Sequence, residues 1–172
     1  MARQFRLWEN AQVVNLLPAA ADAAGRTSTT YANIKFGHKA FLVCGVNQGN
    51  AATVLFTPLQ ASSTSGTGSK ALTNAAPIAV NLDTSLATGG DQFTFPTQAT
   101  SYTTDAGVKN KLVIFEIDPA EVMDLVTGAG GSGAFSYIGV STGASNAANI
   151  TSAHLIITPL RDARLNPPST YA

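Results

Sequence analysis

The chain is short of charge, cysteine and histidine, and each shortage excludes a class of protein. Only 12% of its 172 residues are charged, and ten Lys and Arg balance ten Asp and Glu, so the net charge is zero. The chain therefore has no net positive charge that would attract it to nucleic acid or to an anionic membrane. The single cysteine, Cys44, excludes an intrachain disulfide framework, and two histidines leave few ligands for a metal. We expect one neutral domain without a metal or a cofactor.

Long hydrophobic runs are also missing. The segment Met1–Pro18 carries Arg3, Arg6 and Glu9 among its apolar residues, so it has no apolar core of a signal peptide. The longest apolar runs resemble Ala40–Cys44 and are far too short to span a membrane. We expect a chain that is made in the cytoplasm and stays soluble.

Small neutral residues take the place of charge. The chain has 28 Ala, 20 Thr, 15 Gly, 13 Ser and 11 Asn, which together are about half of its residues. Such side chains lose little entropy when they are immobilised, whereas Lys, Arg or Glu loses up to about 2 kcal/mol. This composition favours permanent contact with other protein surfaces. The alternative is that the protein is a monomer and that its amino-acid composition has drifted with the composition of its genome.

Short apolar or alternating runs recur between turn-rich stretches, and this pattern is typical of an all-β domain. Two of the runs, 112–117 and 154–158, are almost continuously apolar and are predicted in the middle of a sheet. Eight or nine strands in a chain of this length predict a β-sandwich or jelly roll. The predicted strands are Gln12–Leu17, Thr30–Phe36, Lys39–Val46, Thr53–Gln60, Pro77–Leu82, Thr97–Thr103, Lys111–Ile117, Ala134–Ser141 and Ala153–Leu160.

One short helix is predicted after Asp118. An Asp at the N-cap, Pro119 at the first helical position and Glu121 three residues after the cap are the signals of a helix start. We expect this helix to end near Leu125, before a glycine-rich segment. The segment Pro18–Gly25 has helical propensity but no apolar face, so it is predicted to be a loop.

The two ends differ from the body of the chain and are predicted to be extended arms. Residues 1–11 concentrate arginine with large apolar side chains, and residues 162–172 contain a Pro-Pro pair that stops strand pairing. The sandwich is expected to occupy residues 12–161. Residues predicted to contact a capsid or another subunit are Arg3, Phe5, Arg6, Leu7, Trp8, Arg164, Pro167, Pro168 and Tyr171.

Two catalytic motifs occur in the wrong context. Gly128–Gly133 spells G-x-G-x-x-G, but it follows a helix and precedes a strand, the reverse of a dinucleotide site. Gly139–Gly143 spells G-x-S-x-G around Ser141, and His38 or His154 could complete a triad on paper. A loop, rather than the required helix, is predicted after Ser141. We therefore predict that the chain is not an enzyme. A hydrolase is the third possibility, behind the structural and the binding functions described below.

Three stretches resemble small structural proteins of tailed bacteriophages. These stretches are Ser65–Leu72, Leu112–Asp124, and the pair Phe135–Ser141 with Ile156–Arg161. Members of that group are β-sandwich proteins that commonly decorate, or cement, the capsid. The resemblance covers residues 30–165 and implies no catalytic residues.

The sequence thus leads to a virion structural protein that binds and stabilises the head shell. Its expected partners are the major capsid protein and further copies of itself in a homotrimer, and its expected location is the virion. One alternative is a tail or head–tail connector component. The other is a carbohydrate- or receptor-binding β-sandwich, which should display a cluster of exposed aromatic side chains on one sheet face.

Overall fold

Ten strands and one short helix form within residues 11–35, 37–85, 92–124 and 134–159, which are the residues that the computed structural model describes. The strands are β1 (Gln12–Ala21), β2 (Ala32–Asn33), β3 (Gly37–Gln48), β4 (Leu55–Ala61), β5 (Lys70–Ala71), β6 (Ile78–Asn81), β7 (Tyr102–Thr103), β8 (Asn110–Ile117), β9 (Tyr137–Thr142) and β10 (Asn149–Pro159). The helix is α1 (Pro119–Val122). The all-β prediction with one short helix is confirmed.

The strands make two antiparallel sheets in the order of a jelly roll. The first sheet runs β1-β10-β3-β8-β6, and the second runs β2-β9-β4-β5, with β7 also paired to β4. Most successive strands lie in opposite sheets, so the chain crosses repeatedly between the two layers. Two four-stranded sheets connected in this way make a jelly roll, to which β6 adds an edge strand.

The core lies between the sheets and follows from the two-residue period of the strands. In the first sheet Leu155, Leu42 and Phe115 lie opposite one another on β10, β3 and β8, and all three are fully buried. Phe56 and Ile138 of the second sheet are also fully buried. Each such side chain stabilises the fold by about 1.5–3 kcal/mol. The burial of alternate residues fixes the strand register, because a one-residue slip exposes every core side chain.

The predicted loop at Pro18–Gly25 is partly a strand. Pro18 to Ala21 continue β1, so this prediction was wrong over four residues. β1 is an edge strand with register shifts on both sides of Leu17, and an edge tolerates a proline that cannot donate a hydrogen bond. Arg26 fixes this irregular stretch, because its Nη2 donates to the Pro18 carbonyl at 2.6 Å and its Nη1 donates to the Thr151 carbonyl at 2.6 Å.

Three other predicted boundaries were wrong for local reasons. The strand predicted at Thr30–Phe36 is reduced to β2, since the Tyr31 amide donates to the Thr64 carbonyl of a loop. The strand predicted at Thr97–Thr103 is reduced to β7, and β5 was not predicted at all. Two-residue strands depend on their partners, so their own sequences carry little signal.

The helix has the predicted start and an earlier end. Asp118 is its N-cap, and the carboxylate accepts a hydrogen bond from the Ala120 amide at 3.0 Å. The helix ends at Val122 rather than near Leu125, because Met123 is extended and the Asp124 amide donates to Gln60 Oε1 at 2.8 Å. A tertiary hydrogen bond to β4 therefore terminates the helix. Leu125 lies outside the described residues.

Candidate interaction surface

The outer face of the first sheet carries two rows of apolar side chains, which Glu116, Asn15 and the exposed His154 interrupt. Val13 of β1 lies opposite Ile156 of β10, which lies opposite Phe41 of β3. In the next row Val43 of β3 lies opposite Ile114 of β8. Val13 is 54% exposed and the other four are partly exposed. We name this surface the open face.

A groove crosses the open face at its β6 side. It has a volume of ≈ 250 Å³ and is lined by Phe41, Pro77, Ile78, Ala79, Phe95, Ile114 and Glu116. Phe95 is 79% exposed at the rim of the groove, and Phe93, two residues before it, is 39% exposed. Thr94 between them exchanges two backbone hydrogen bonds with Val80 of β6, each 2.8 Å long. Both phenylalanines are therefore held beside the groove.

One ion pair lies at the end of the open face. Lys39 Nζ donates to Glu116 Oε1, and both side chains are about one-third exposed. The hydrogen bond to Glu116 raises the pKa of Lys39. Glu116 is also the one acidic residue among those that line the groove in the described part of the chain. The groove is thus lined by apolar side chains and by one carboxylate.

The outer face of the second sheet is covered by the chain itself. The Tyr31 ring is only 2% exposed and lies between Gly66 and Gly139. A Cβ atom at Gly139 would lie 2.4 Å from Tyr31 Cε1, and one at Gly66 would lie 2.5 Å from Cε2. Beside this ring, Thr57 of β4 lies opposite Ser141 of β9. This face therefore carries the buried Tyr31 ring, small polar side chains and Leu55 of β4, which is 36% exposed.

A buried polar network closes one end of the sandwich. The Lys111 side chain is fully buried, and its Nζ donates to Asp105 Oδ1 at 2.5 Å, to the Asp105 carbonyl at 2.8 Å and to Gln48 Oε1 at 2.8 Å. Thr104 Oγ1 also donates to Gln48 Oε1, at 3.1 Å. The hydrogen bond from Lys111 lowers the pKa of Asp105. Every donor position of the ammonium group has an acceptor, so this network stabilises the junction of the sheets.

A second cavity of ≈ 500 Å³ lies beside β2 and β9. It is lined by Asn33, Ile34, Lys35, Ser62, Pro119, Ala134, Ser136 and Tyr137. Tyr137 is the one aromatic side chain among these lining residues. Sugar rings are commonly held by stacking on aromatic rings, and this cavity offers one such ring beside mixed polar groups.

The serine of the G-x-S-x-G motif and His154 are not brought together. Ser141 lies in β9 of the second sheet and pairs with Thr57, whereas His154 is exposed on β10 of the first sheet. Residues 143–148 after Ser141 form an irregular segment and a turn rather than a helix. The G-x-G-x-x-G motif at 128–133 lies outside the described residues. Within the described residues no three His, Cys, Asp or Glu side chains form a metal-binding group, and no helix is long and apolar enough to cross a membrane.

The single cysteine is part of the core. Cys44 is completely buried between the sheets, and burial raises the pKa of its thiol. A thiol with a raised pKa is rarely ionised, so it reacts slowly. This agrees with the sequence-based expectation that Cys44 lies in an apolar, buried run.

The contact residues predicted in the two arms lie outside the described residues. These residues are Arg3, Phe5, Arg6, Leu7, Trp8, Arg164, Pro167, Pro168 and Tyr171. The described part of the chain begins at Ala11, directly before β1.

Sequence reasoning missed the open face, although a signal for it was present. The almost continuous apolar runs at 112–117 and 154–158 correctly predicted strands with a neighbour on each side. In a sandwich of two layers, however, the opposite sheet buries only one face of each strand. A continuous apolar run therefore also predicts an apolar outer face, which supplies Ile114 and Ile156 here.

Comparisons with known proteins add little to the geometry. No protein-family profile matches the chain, and no curated protein matches it. Among solved structures, the crystal structure of the SPBc2 prophage-derived protein YomS matches over 87% of this chain and 94% of that chain. The two are 8% identical and superpose with a TM-score of 0.45.

Proposed function

We propose that this chain is a non-catalytic structural protein of a bacteriophage virion that decorates and stabilises the head shell. In this proposal its partners are the major capsid protein and further copies of itself, arranged as a homotrimer. The observation that carries the proposal is the open face, because the exposed side chains of Val13 and Phe95 lie on it with a groove, and interaction surfaces commonly carry exposed apolar side chains.

The position of the open face favours a permanent contact over a transient one. Phe41, Val43 and Ile114 lie on strands in the interior of the sheet, so the chain cannot withdraw them without unfolding the sheet. Phe95 is held beside them by the hydrogen bonds of Thr94. A face of this kind is costly for a free monomer and useful for a subunit that is assembled once and stays assembled.

The scarcity of charge supports the same proposal. A neutral chain with 12% charged residues lacks a strong field of one sign, so its contacts depend on shape and apolar burial. Such contacts resist salt better than ion pairs do, because only the latter are screened. Jelly rolls build both viral capsid proteins and lectins, so the fold is compatible with this role and also with the carbohydrate- or receptor-binding alternative. Phe41, Phe93 and Phe95 form the cluster of aromatic side chains on one sheet face that this alternative requires.

The stabilising action follows from mass action. A protein that binds the assembled shell, and not its dissociated subunits, stabilises each site by about 2.7 kcal/mol at a hundredfold excess over its Kd. Repetition over the many sites of a closed shell makes the total large even though each contact is modest. No turnover is required, which accords with the dispersed positions of Ser141 and His154.

The proposal is tested on phage particles prepared with and without this protein. We expect many copies per head in particles that contain it, and DNA release at a lower temperature in particles that lack it. Adding back the purified protein should restore the higher temperature. Equal DNA retention in the two preparations would refute the cement role, and recovery of the protein with detached tails would support the connector or tail alternative.

A matched pair of variants tests whether the open face is responsible. Ile114→Lys places a charge in the groove of the open face, whereas Thr57→Lys places one on the outer face of the second sheet. Both variants are first checked for a native circular dichroism spectrum. We expect Ile114→Lys to lose add-back and Thr57→Lys to retain it. The opposite order would locate the contact on the second sheet.

A further inference from the structure

The groove of the open face has the size and chemistry of a receptor for apolar side chains. Its volume of ≈ 250 Å³ is below the range of about 300–1,000 Å³ that small-molecule pockets occupy. Phe41, Ile114 and Phe95 supply an apolar surface, and Glu116 supplies the single carboxylate. Glu116 is already paired with Lys39, so the matching occupant is a short extended peptide that carries large apolar side chains.

The first ten residues of the chain have this composition. Residues 1–10 contain Phe5, Leu7 and Trp8, which are among the most strongly hydrophobic side chains of the sequence, together with Arg3 and Arg6. Burial of one large apolar side chain is worth about 1.5–3 kcal/mol. The segment therefore complements the groove in apolar character.

Residues 1–10 also join β1 at the end of the sheet where the groove lies, and they are long enough to reach a groove. Val13 lies in the same row of the first sheet as Ile156, Phe41 and Glu116, so β1 starts at the end of the sheet where the groove lies. Three strand spacings, about 14 Å, separate β1 from β8. Ten extended residues reach about 33 Å, so the segment can cross a complete open face.

The direction of the chain favours the groove of a neighbouring copy over its own. β1 enters the sheet at Gln12, and an extended segment before it continues past the end of the sheet rather than across its face. Neither glycine nor proline, the residues that most readily redirect a chain, occurs before Pro18. A segment that kept the direction of β1 would therefore lead toward another molecule.

We propose that residues 1–10 of one copy dock in the groove of the open face of a second copy, so that exchanged arms hold the oligomer together. This inference deepens the proposed function, on which it rests in treating the open face as a permanent contact. It assigns the occupant of the groove, with Phe5, Leu7 or Trp8 on the apolar floor.

Cross-linking of the purified full-length chain tests the exchange. Cys44 is buried with a raised pKa, so an introduced cysteine is the reactive one. Gln4→Cys is mixed with Ala79→Cys, a variant of a groove residue, and treated with a short thiol-specific cross-linker. We expect a cross-linked dimer that contains one copy of each variant. Val108→Cys, at an exposed apolar residue that does not line the groove, replaces Ala79→Cys as the control and should give much less of it.

The same variants distinguish the other occupants. If the double variant Gln4→Cys/Ala79→Cys cross-links only within one chain and the mixture gives no dimer, the segment covers its own groove and the proposal is overturned. Absence of cross-links in both samples also overturns it, because the groove then belongs to another partner. These results use no phage particles, so they are independent of whether the protein binds heads.

Trp8 provides a second readout without cross-linking, because it is the only tryptophan. We expect its fluorescence to be blue-shifted at high protein concentration and to shift to the red on dilution as the arms leave their grooves. Phe95→Ser should raise the concentration at the midpoint about tenfold, and Val108→Ser should not move it. Emission that is independent of concentration would contradict an exchange between copies.

Discussion

The outer faces of the two sheets of this sandwich carry different side chains. On the second sheet, Tyr31 is buried between Gly66 and Gly139, and the surface also carries Thr57, Ser141 and the 36% exposed Leu55. On the first sheet, Val13 and Phe95 remain more than half exposed, and a groove lies open beside Phe95. Both faces belong to antiparallel sheets that share one core. The difference therefore reflects what each face contacts outside the core.

This contrast separates residues that maintain the fold from residues available for contact with other molecules. Tyr31 and Gly139 fit each other so closely that a substitution of either affects folding. The open face contributes little to folding, because its side chains do not lie between the sheets. Variants of the two faces should consequently affect different measurements, stability for one and association for the other.

The largest expected difference comes from the two aromatic residues. Tyr31→Ala removes a ring that is 2% exposed and should lower the free energy of unfolding by about 3–5 kcal/mol. Phe95→Ala removes a ring that is 79% exposed and should change it by no more than about 0.5 kcal/mol in dilute solution. Urea denaturation of both variants measures the difference. Equal losses would show that the open face is part of the folding core.

A pair of glycines provides a sharper comparison. Gly139→Ala places a methyl group 2.4 Å from the buried Tyr31 ring, and such overpacking costs about 1–3 kcal/mol. Gly45→Ala, on β3 of the first sheet, places one 3.1 Å from the Ser152 hydroxyl, which can rotate away. We expect the latter variant to change stability by less than about 1 kcal/mol. Thermal denaturation distinguishes the two, and the reverse order would contradict the assignment of the faces.

The buried network at the junction of the sheets should make part of the free energy of unfolding sensitive to acid. The pKa of Asp105 is lowered in the fold by its hydrogen bond from Lys111, so its stabilising effect is present above the unfolded value of 3.8. This effect is lost as the pH falls through the folded value. Because the Asp105 side chain is half exposed, we expect the loss to be about 1 kcal/mol. In Asp105→Asn, urea midpoints between pH 5 and pH 2 should show a smaller decrease than in the wild type.

The smallest effect concerns the ion pair at the end of the open face. The hydrogen bond to Glu116 raises the pKa of Lys39 above its usual 10.5, so any stabilisation from this pair is present below 10.5 and is lost as the pH rises through the folded value. Glu116→Gln should return the pKa of Lys39 toward 10.5. Titration of the lysine followed by NMR measures the change. A pKa that does not fall in this variant would contradict the pairing.

The sequence predicted the regular parts of the fold better than the irregular ones. The strands around Leu42, Phe115 and Leu155 were found because a two-residue period or a dense apolar run marks them, and the cap at Asp118 was found from its side-chain chemistry. The short strands β5 and β7 were missed or overextended, because they exist only through pairing with β4. Their formation depends on distant residues, which no local pattern encodes.

The open face illustrates a different limit. The apolar character of Ile114 and Ile156 was visible in the sequence, but it was interpreted as burial in the middle of a sheet. The location of the groove also required knowledge that Thr94 bonds to Val80 and so brings Phe95 beside Ala79. Thr94 and Val80, fourteen residues apart in the sequence, meet there through an edge pairing that the composition of the loop does not reveal.

Covalent labelling of aromatic side chains tests most directly whether the open face is a contact surface of the assembled particle. Phe95 and Tyr137, which lie on opposite sheets of the sandwich, are labelled with hydroxyl radicals in dilute free protein and in intact phage particles, and the modified peptides are quantified by mass spectrometry. The account predicts strong labelling of Phe95 in the free protein and strong protection in the particle, with a smaller change at Tyr137. Equal labelling of Phe95 in both states would contradict it.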